Sequence, residues 1–232
     1  MSALWVVVSH ELQLLRRSKK VVLGQSVAIV ILWSLLASHV RRGELQPLTG
    51  YFLLLLFVAA VGAPASVGVH AFVGEKERRT LEPLLLVPVS MRELMGGKFL
   101  TTMVVSLVEL VCVYIAGVAA VRVFGQPQQY EYVVNPLTRY VAAVLAPLFA
   151  ILFSLIALVV SGRSANTQAA LSMTAFVAAP IVLVVFGLML GALAISKWAL
   201  LLATGVLVLM DCATFFVAAS LLTPERLLQR HG

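Results

Sequence analysis

The chain has 232 residues, of which 61% are hydrophobic and 12% charged, and its net charge is +7. Soluble domains run at about 45–50% apolar and about 25% charged, so this composition excludes a water-clothed globule and points to a bilayer. The basic residues gather at the ends of apolar runs, with no aromatic-rich basic surface between them. This excludes a nucleic-acid binder and reads as an orientation signal and contact with lipid headgroups.

Residues 1–20 form the first element. Leu4, Val8, Leu12 and Leu15 recur at helical spacing, while Ser9, Gln13, Arg16 and Lys20 take the other side. That pattern predicts an amphipathic helix in the membrane interface, with Trp5 at the boundary; the alternative is a cytoplasmic helix packed on protein. A cleavable signal peptide is excluded, because the apolar stretch from Leu4 to Val8 is too short and its basic residues follow it.

A span needs about 20 mostly apolar residues to cross about 30 Å of hydrocarbon. Runs of that kind predict six transmembrane helices, at 21–40, 51–73, 99–121, 140–162, 166–195 and 198–222, in an all-α polytopic membrane protein of a single domain. Pro64 and Pro147 predict kinks in the second and fourth spans. The fifth run is too long for one upright helix and holds Pro180 near its middle. It reads either as one tilted, kinked helix or as a span followed by a re-entrant piece. The largest outer loop is expected over 123–136. Cys112 and Cys212 lie inside apolar runs without metal-ligand spacing and read as small core residues. With both termini cytoplasmic, 12 of the 17 Lys and Arg fall inside, leaving Arg41, Arg42, Arg122, Arg139 and Lys197 outside. The positive-inside rule selects that topology.

The second and third spans are joined by residues 74–98, GEKERRTLEPLLLVPVSMRELMGGK, the most polar stretch of the chain, yet one with an apolar centre from Leu84 to Val89. Thr80 is placed to cap a short helix in which Pro83 is acceptable in the first turn, and Pro88 ends it. Ser90 and Glu93 form a capping box, with Val89 and Leu94 as a hydrophobic staple, so a new helix begins near Met91. The sequence predicts helix, break, helix, held at the membrane surface.

This stretch resembles the signature of type-2 ABC exporter permeases, E-x-E-x-G-T-L-E-x-L-L-x-x-P-x-S-x-x-E-x-x-x-G-K. It is met by Glu75, Glu77, Thr80, Leu81, Glu82, Leu84, Leu85, Pro88, Ser90, Glu93, Gly97 and Lys98, while Arg79 stands where the signature has glycine. The N-terminal HELQLLRRSKK, the turn Ser161-Gly162-Arg163-Ser164 and the terminal Pro224-Glu225-Arg226-Leu227-Leu228 are also similar to the family. The resemblance implies a permease that pairs with a second copy or a sister permease and docks on separate ATP-binding subunits, which carry the ATP and magnesium. It also implies that 74–98 is a coupling segment contacting the ATPase. In that role Glu75, Glu77, Arg78 and Glu82 face charged groups on the ATPase and Leu81, Leu84 and Leu85 fill an apolar groove, within the frame set by Thr80, Pro88, Ser90 and Glu93. The expected location is the plasma membrane of a bacterium or archaeon.

The chain itself lacks a phosphate-binding loop: Gly96-Gly97-Lys98 is followed by Phe99 rather than Ser or Thr. No enzyme motif of the H-E-x-x-H or G-x-S-x-G kind occurs, no cofactor is expected in this chain, and it is read as a permease subunit, not an enzyme. Glu109 and Asp211 fall in the middles of the third and sixth spans. Intramembrane acids mark either a translocation path or an interhelical hydrogen bond. A second class, an ion-coupled secondary transporter or channel, would use these two acids as its relay.

Overall fold

The computed structural model describes residues 24, 27–28, 31, 46–77, 90–124, 127–191 and 197–221. Among them every regular element is helical, as required where backbone groups lack water and must bond within their own segment. The helices are α1 (Gln46–Ala63), α2 (His70–Glu77), α3 (Met91–Phe124), α4 (Pro127–Val133), α5 (Pro136–Tyr140), α6 (Ala146–Arg163), α7 (Thr167–Gly191) and α8 (Lys197–Leu221). Four stretches among the described residues are long and apolar enough to cross a membrane: Gly50–Glu77, Glu93–Val123, Pro136–Arg163 and Leu200–Leu221. The chain is an all-α polytopic membrane protein. The interfacial helix expected over 1–20 and the terminal 222–232 lie outside the described residues. So does most of 21–40, where Gly24, Val27, Ala28 and Ile31 are helical.

Proline shapes the long helices in two ways. Pro64 opens a π-helical turn, Pro64–Gly68, between α1 and α2. Pro147 follows a second one, Val141–Leu145, where the Ala146 N–H donates to the Val141 carbonyl. That bond reaches one residue further back than in an α-helix. At both sites a missing N–H leaves the helix to satisfy its carbonyls by another register. Pro180, by contrast, lies within α7, which continues as one helix to Gly191. Whether a re-entrant piece follows it turns on residues 192–196, which lie outside the described residues.

The core is built around α6, which packs on α1, α2, α3, α7 and α8. Phe149 of α6 meets Phe57 of α1 edge to face, with ring centroids 4.7 Å apart. Leu152 and Phe153 of α6 are buried in the same core cluster as Phe52, Leu53 and Leu56 of α1. Small residues allow the close approaches on which membrane helices rely in place of a hydrophobic driving force. A Cβ at Gly68 would stand 2.9 Å from the Ala157 Cβ and 3.3 Å from the Thr102 Cγ2.

The stretch 123–136, expected as the largest outer loop, contains α4. Gln129 and Val133 of α4 are buried, and α4 packs on α1 and α3. Asn135 caps α5, its Oδ1 accepting from the Thr138 N–H at 2.7 Å. The last helix, α8, meets the bundle along a narrow line. Leu200, Thr204, Leu207, Asp211, Thr214, Ala218 and Leu221 are its less exposed positions, alternating four and three residues apart as in a coiled-coil seam. Its main partner is α6. The Thr204 hydroxyl donates to the Leu200 carbonyl (2.8 Å), which leaves the Tyr140 hydroxyl to donate to Thr204 Oγ1 (2.8 Å). Cys112 and Cys212, expected in the core, are exposed thiols on α3 and α8. A small apolar side chain suits a lipid-facing stripe as well as an inward one.

Gly68→Val drives its side chain into Ala157 and is expected to cost about 1–3 kcal/mol, read as a lower thermal unfolding midpoint in detergent. Ala157→Gly in the same chain restores part of the loss. An unchanged midpoint in the single variant would show that α6 yields at this contact.

Candidate functional site

The site is the end of the bundle that carries Glu77 and Ser90, the two residues between which 78–89 runs. Its centre is α2, eight residues that start just after helical continuity breaks at Val69. The first N–H groups of a helix have no acceptor within it. Here the acceptor comes from α6. Ser161 Oγ accepts from the Phe72 N–H (3.0 Å) and the Val73 N–H (3.1 Å), and donates to the Val69 carbonyl (2.5 Å). A serine hydroxyl offers one donor and two acceptor positions, and all three are used at a residue with no exposure.

The other end of α2 is fixed to the turn between α6 and α7. Lys76 Nζ donates to the Gly162 carbonyl (2.6 Å) and the Ser164 carbonyl (3.4 Å) at the C-terminus of α6. The Glu77 carboxylate accepts from the Thr167 N–H (2.7 Å) and the Thr167 hydroxyl (2.8 Å) at the first residue of α7. Asn166 supplies the local cap, its Oδ1 accepting from the Ala169 N–H at 2.8 Å. A cation at a helix C-terminus and an anion at an N-terminus each oppose the partial charge found there. Two neighbouring residues of opposite sign therefore grip both sides of one turn.

A third anchor comes from α3. Lys98 Nζ donates to the Ala71 carbonyl and to Glu75 Oε1, both at 2.6 Å, and lies 5.3 Å from the centroid of the Phe72 ring. Lys98 is 1% and Glu75 14% exposed. A buried ammonium is tolerated only with such partners, and removal of one leaves the other uncompensated. The start of α3 carries the capping box read from the sequence. The Ser90 N–H donates to Glu93 Oε2 (2.9 Å), the Glu93 N–H donates to Ser90 Oγ (3.3 Å), and the Ser90 hydroxyl donates to Glu93 Oε2 (2.7 Å). Residues 78–89 thus run between two helix ends that are both tied down.

Of the signature residues, Glu75, Glu77, Ser90, Glu93, Gly97 and Lys98 fall in this region, while Arg78, Thr80, Leu81, Glu82, Leu84, Leu85 and Pro88 lie outside the described residues. Glu75 and Glu77, read from the sequence as groups that meet a partner subunit, bond within the chain to Lys98 and Thr167. The reason is length. The helix continues to Glu77, past the expected end of the span at residue 73, which brings both carboxylates level with the ends of α3, α6 and α7. Local spacing assigns no role to Lys76 or Thr167, and Ser161 reads from the sequence only as part of a small turn. A Lys-Glu pair at the end of a span, with a Ser-Gly-x-Ser turn elsewhere, is the signal that was available.

The two acids within the spans are buried, Glu109 at 2% and Asp211 at 9% exposure. They lie on α3 and α8, which pack on α6 and share no extensive contact with each other. Both carboxylate oxygens of Asp211 lack a hydrogen-bond partner among the described residues.

A bundle of membrane-crossing helices, with the helix ends at Glu77 and Ser90 both tied down, defines a polytopic membrane protein. The pattern of the ABC-2 family transporter proteins matches residues 7–179 of the chain, and the chain belongs to that family. It is the permease of an ABC transporter, a kind of membrane protein that generally works with ATPase subunits. No curated protein matches its sequence.

Ser161→Ala removes three hydrogen bonds at the start of α2. It is expected to cost about 1–3 kcal/mol, read as a lower unfolding midpoint in detergent, with Ser161→Thr closer to the parent. Lys98→Met leaves Glu75 without its cation and is expected to cost about 3–5 kcal/mol; adding Glu75→Gln recovers most of that loss. If the double variant is no more stable than Lys98→Met alone, the ion pair is not what holds α3 to α2.

Proposed function

We propose that this chain is the membrane-spanning subunit of an ATP-driven exporter. Two permeases, either two copies or this chain and a sister, assemble with two separate ATP-binding subunits in the plasma membrane of a bacterium or archaeon. Both termini and residues 74–98 face the cytoplasm. ATP and magnesium are bound by the partner, and this chain supplies the path and the coupling contact.

The observation that carries the reading is the anchoring of 78–89 on both sides, at Glu77 and at Ser90, within a chain of the ABC-2 family. A connector between two spans needs no such fixtures. A segment that receives a push from a docked ATPase does, because a push on a slack loop goes no further. With Glu75, Glu77 and Glu93 bonded within the chain, docking falls to Arg78 and Glu82 through charge, and to Leu81, Leu84 and Leu85 through an apolar groove. Asp211 and Glu109 supply polar groups within the spans, where such residues line pathways.

The test is isolation of the chain from its native membrane in mild detergent, with mass spectrometry and an ATP hydrolysis assay. An ATP-binding subunit is expected to co-purify, and the paired change Glu82→Lys with Leu85→Asp is expected to lose it while membrane insertion stays normal. Full retention of the ATPase by that variant overturns the assignment of 78–89 as the docking segment. A stable, active complex without an ATPase would move the function to ion-coupled transport through Glu109 and Asp211.

A further inference from the structure

We infer that α2 is a rigid lever, and that Lys76 and Glu77 are the positioning residues through which movement of 78–89 reaches the turn between α6 and α7. The inference rests on the coupling role proposed above and adds a route. Force entering at 78–89 passes first to the fourth and fifth spans, through bonds that bypass the covalent path along α1 and α3.

Bonds from three neighbouring helices hold α2, those from α3 through Lys98 on the Ala71 carbonyl and Glu75. The start of α2 is held by Ser161 of α6. Its end is held by Lys76 on the Gly162 and Ser164 carbonyls and by Glu77 on Thr167. Attachment at both ends of an eight-residue helix prevents it from pivoting on the turn, so the helix and the turn move as one body. On the other side, the break at Val69 and the π-helical turn Pro64–Gly68 separate α2 from α1. Interruptions of the regular bonding ladder are where helices bend. The stiff connections of α2 are therefore sideways, to α6 and α7 and, through Lys98, to α3, and its compliant connection is toward α1. Charge favours the same partner, since Lys76 meets a helix C-terminus and Glu77 the N-terminus of the next.

Thr167 permits a test that leaves the fold in place. It is the first residue of α7, with Asn166 as its cap, and proline is tolerated at that position because its missing N–H has no helical acceptor. Thr167→Pro removes both donors to Glu77 and spares the helix. Glu77→Ala removes the same link from the other side. The complex of the full chain with its co-purifying ATPase, with Cys112 and Cys212 replaced by serine, is labelled with nitroxides at Ala165→Cys in the turn and Val123→Cys at the far end of α3. The distance between the labels is measured with and without ATP and vanadate.

Nucleotide trapping is expected to change this distance in the parent. In Glu77→Ala and in Thr167→Pro the change is lost, although the complex still forms and hydrolyses ATP. The double variant behaves like either single one, since both cut one link. Two outcomes overturn the lever: a parent that hydrolyses ATP with no change at the turn, and variants that keep the full change. Failure of any ATPase to assemble with the parent sinks the coupling role itself, and the lever with it.

Discussion

A backbone N–H buried without a partner costs about 1–3 kcal/mol, and inside hydrocarbon no water can stand in. The break at Val69 creates such groups, and one hydroxyl resolves it. Ser161 accepts from two N–H groups of α2 and donates to the carbonyl before them. Because that hydroxyl belongs to α6, the interruption of one helix fixes the position of another. Lys98 and Lys76 extend the network to α3 and to the turn before α7, Lys76 placing its ammonium on a carbonyl that the end of α6 leaves unused. The polar chemistry at this end is thus the means by which four helices share a single arrangement.

Local features were legible in the sequence and distant ones were not. The helical class and the approximate position of each described span follow from runs of about 20 apolar residues. The capping box at Ser90 and Glu93 follows from a spacing of three residues. The bonds of Lys76 to Gly162 and of Ser161 to Val69 join residues 86 and 92 positions apart, and no periodicity encodes such a pairing. The bonds of Glu75 to Lys98 and of Glu77 to Thr167 were hidden in the same way, since a carboxylate suits both an internal bond and a contact with a partner. Which side of a span faces inward was also hidden. Lipid tails and protein core are equally apolar, so Cys112 and Cys212 carried no sign of their exposure. The helix α4 escaped notice because seven residues between two spans look like a loop.

Under the proposed function, the arrangement separates tasks within the chain. The stretch from Glu75 to Lys98 connects the bundle to a partner, while the packed faces of α1 and α6 supply a body against which movement is defined. The two π-helical turns sit within the helices that meet at this body, one between α1 and α2 and one at the start of α6. Regular packing and irregular backbone are thus found side by side, and the small residues at Gly68 and Ala157 let them stay in contact.

The one-sided attachment of α8 bears on how the chain is built. Among the described residues, nearly all of the principal core comes from residues 52–153, to which α8 adds Leu207 and, partly buried, Leu200. A ribosome that has released the first two thirds of the chain has already delivered that core. The last helix then has a finished surface to settle on, with the Tyr140 hydroxyl waiting for Thr204 near one end and a seam of alternating four- and three-residue steps to set its register. Among the described residues, α8 can therefore join the bundle after the helices on which it packs have been made.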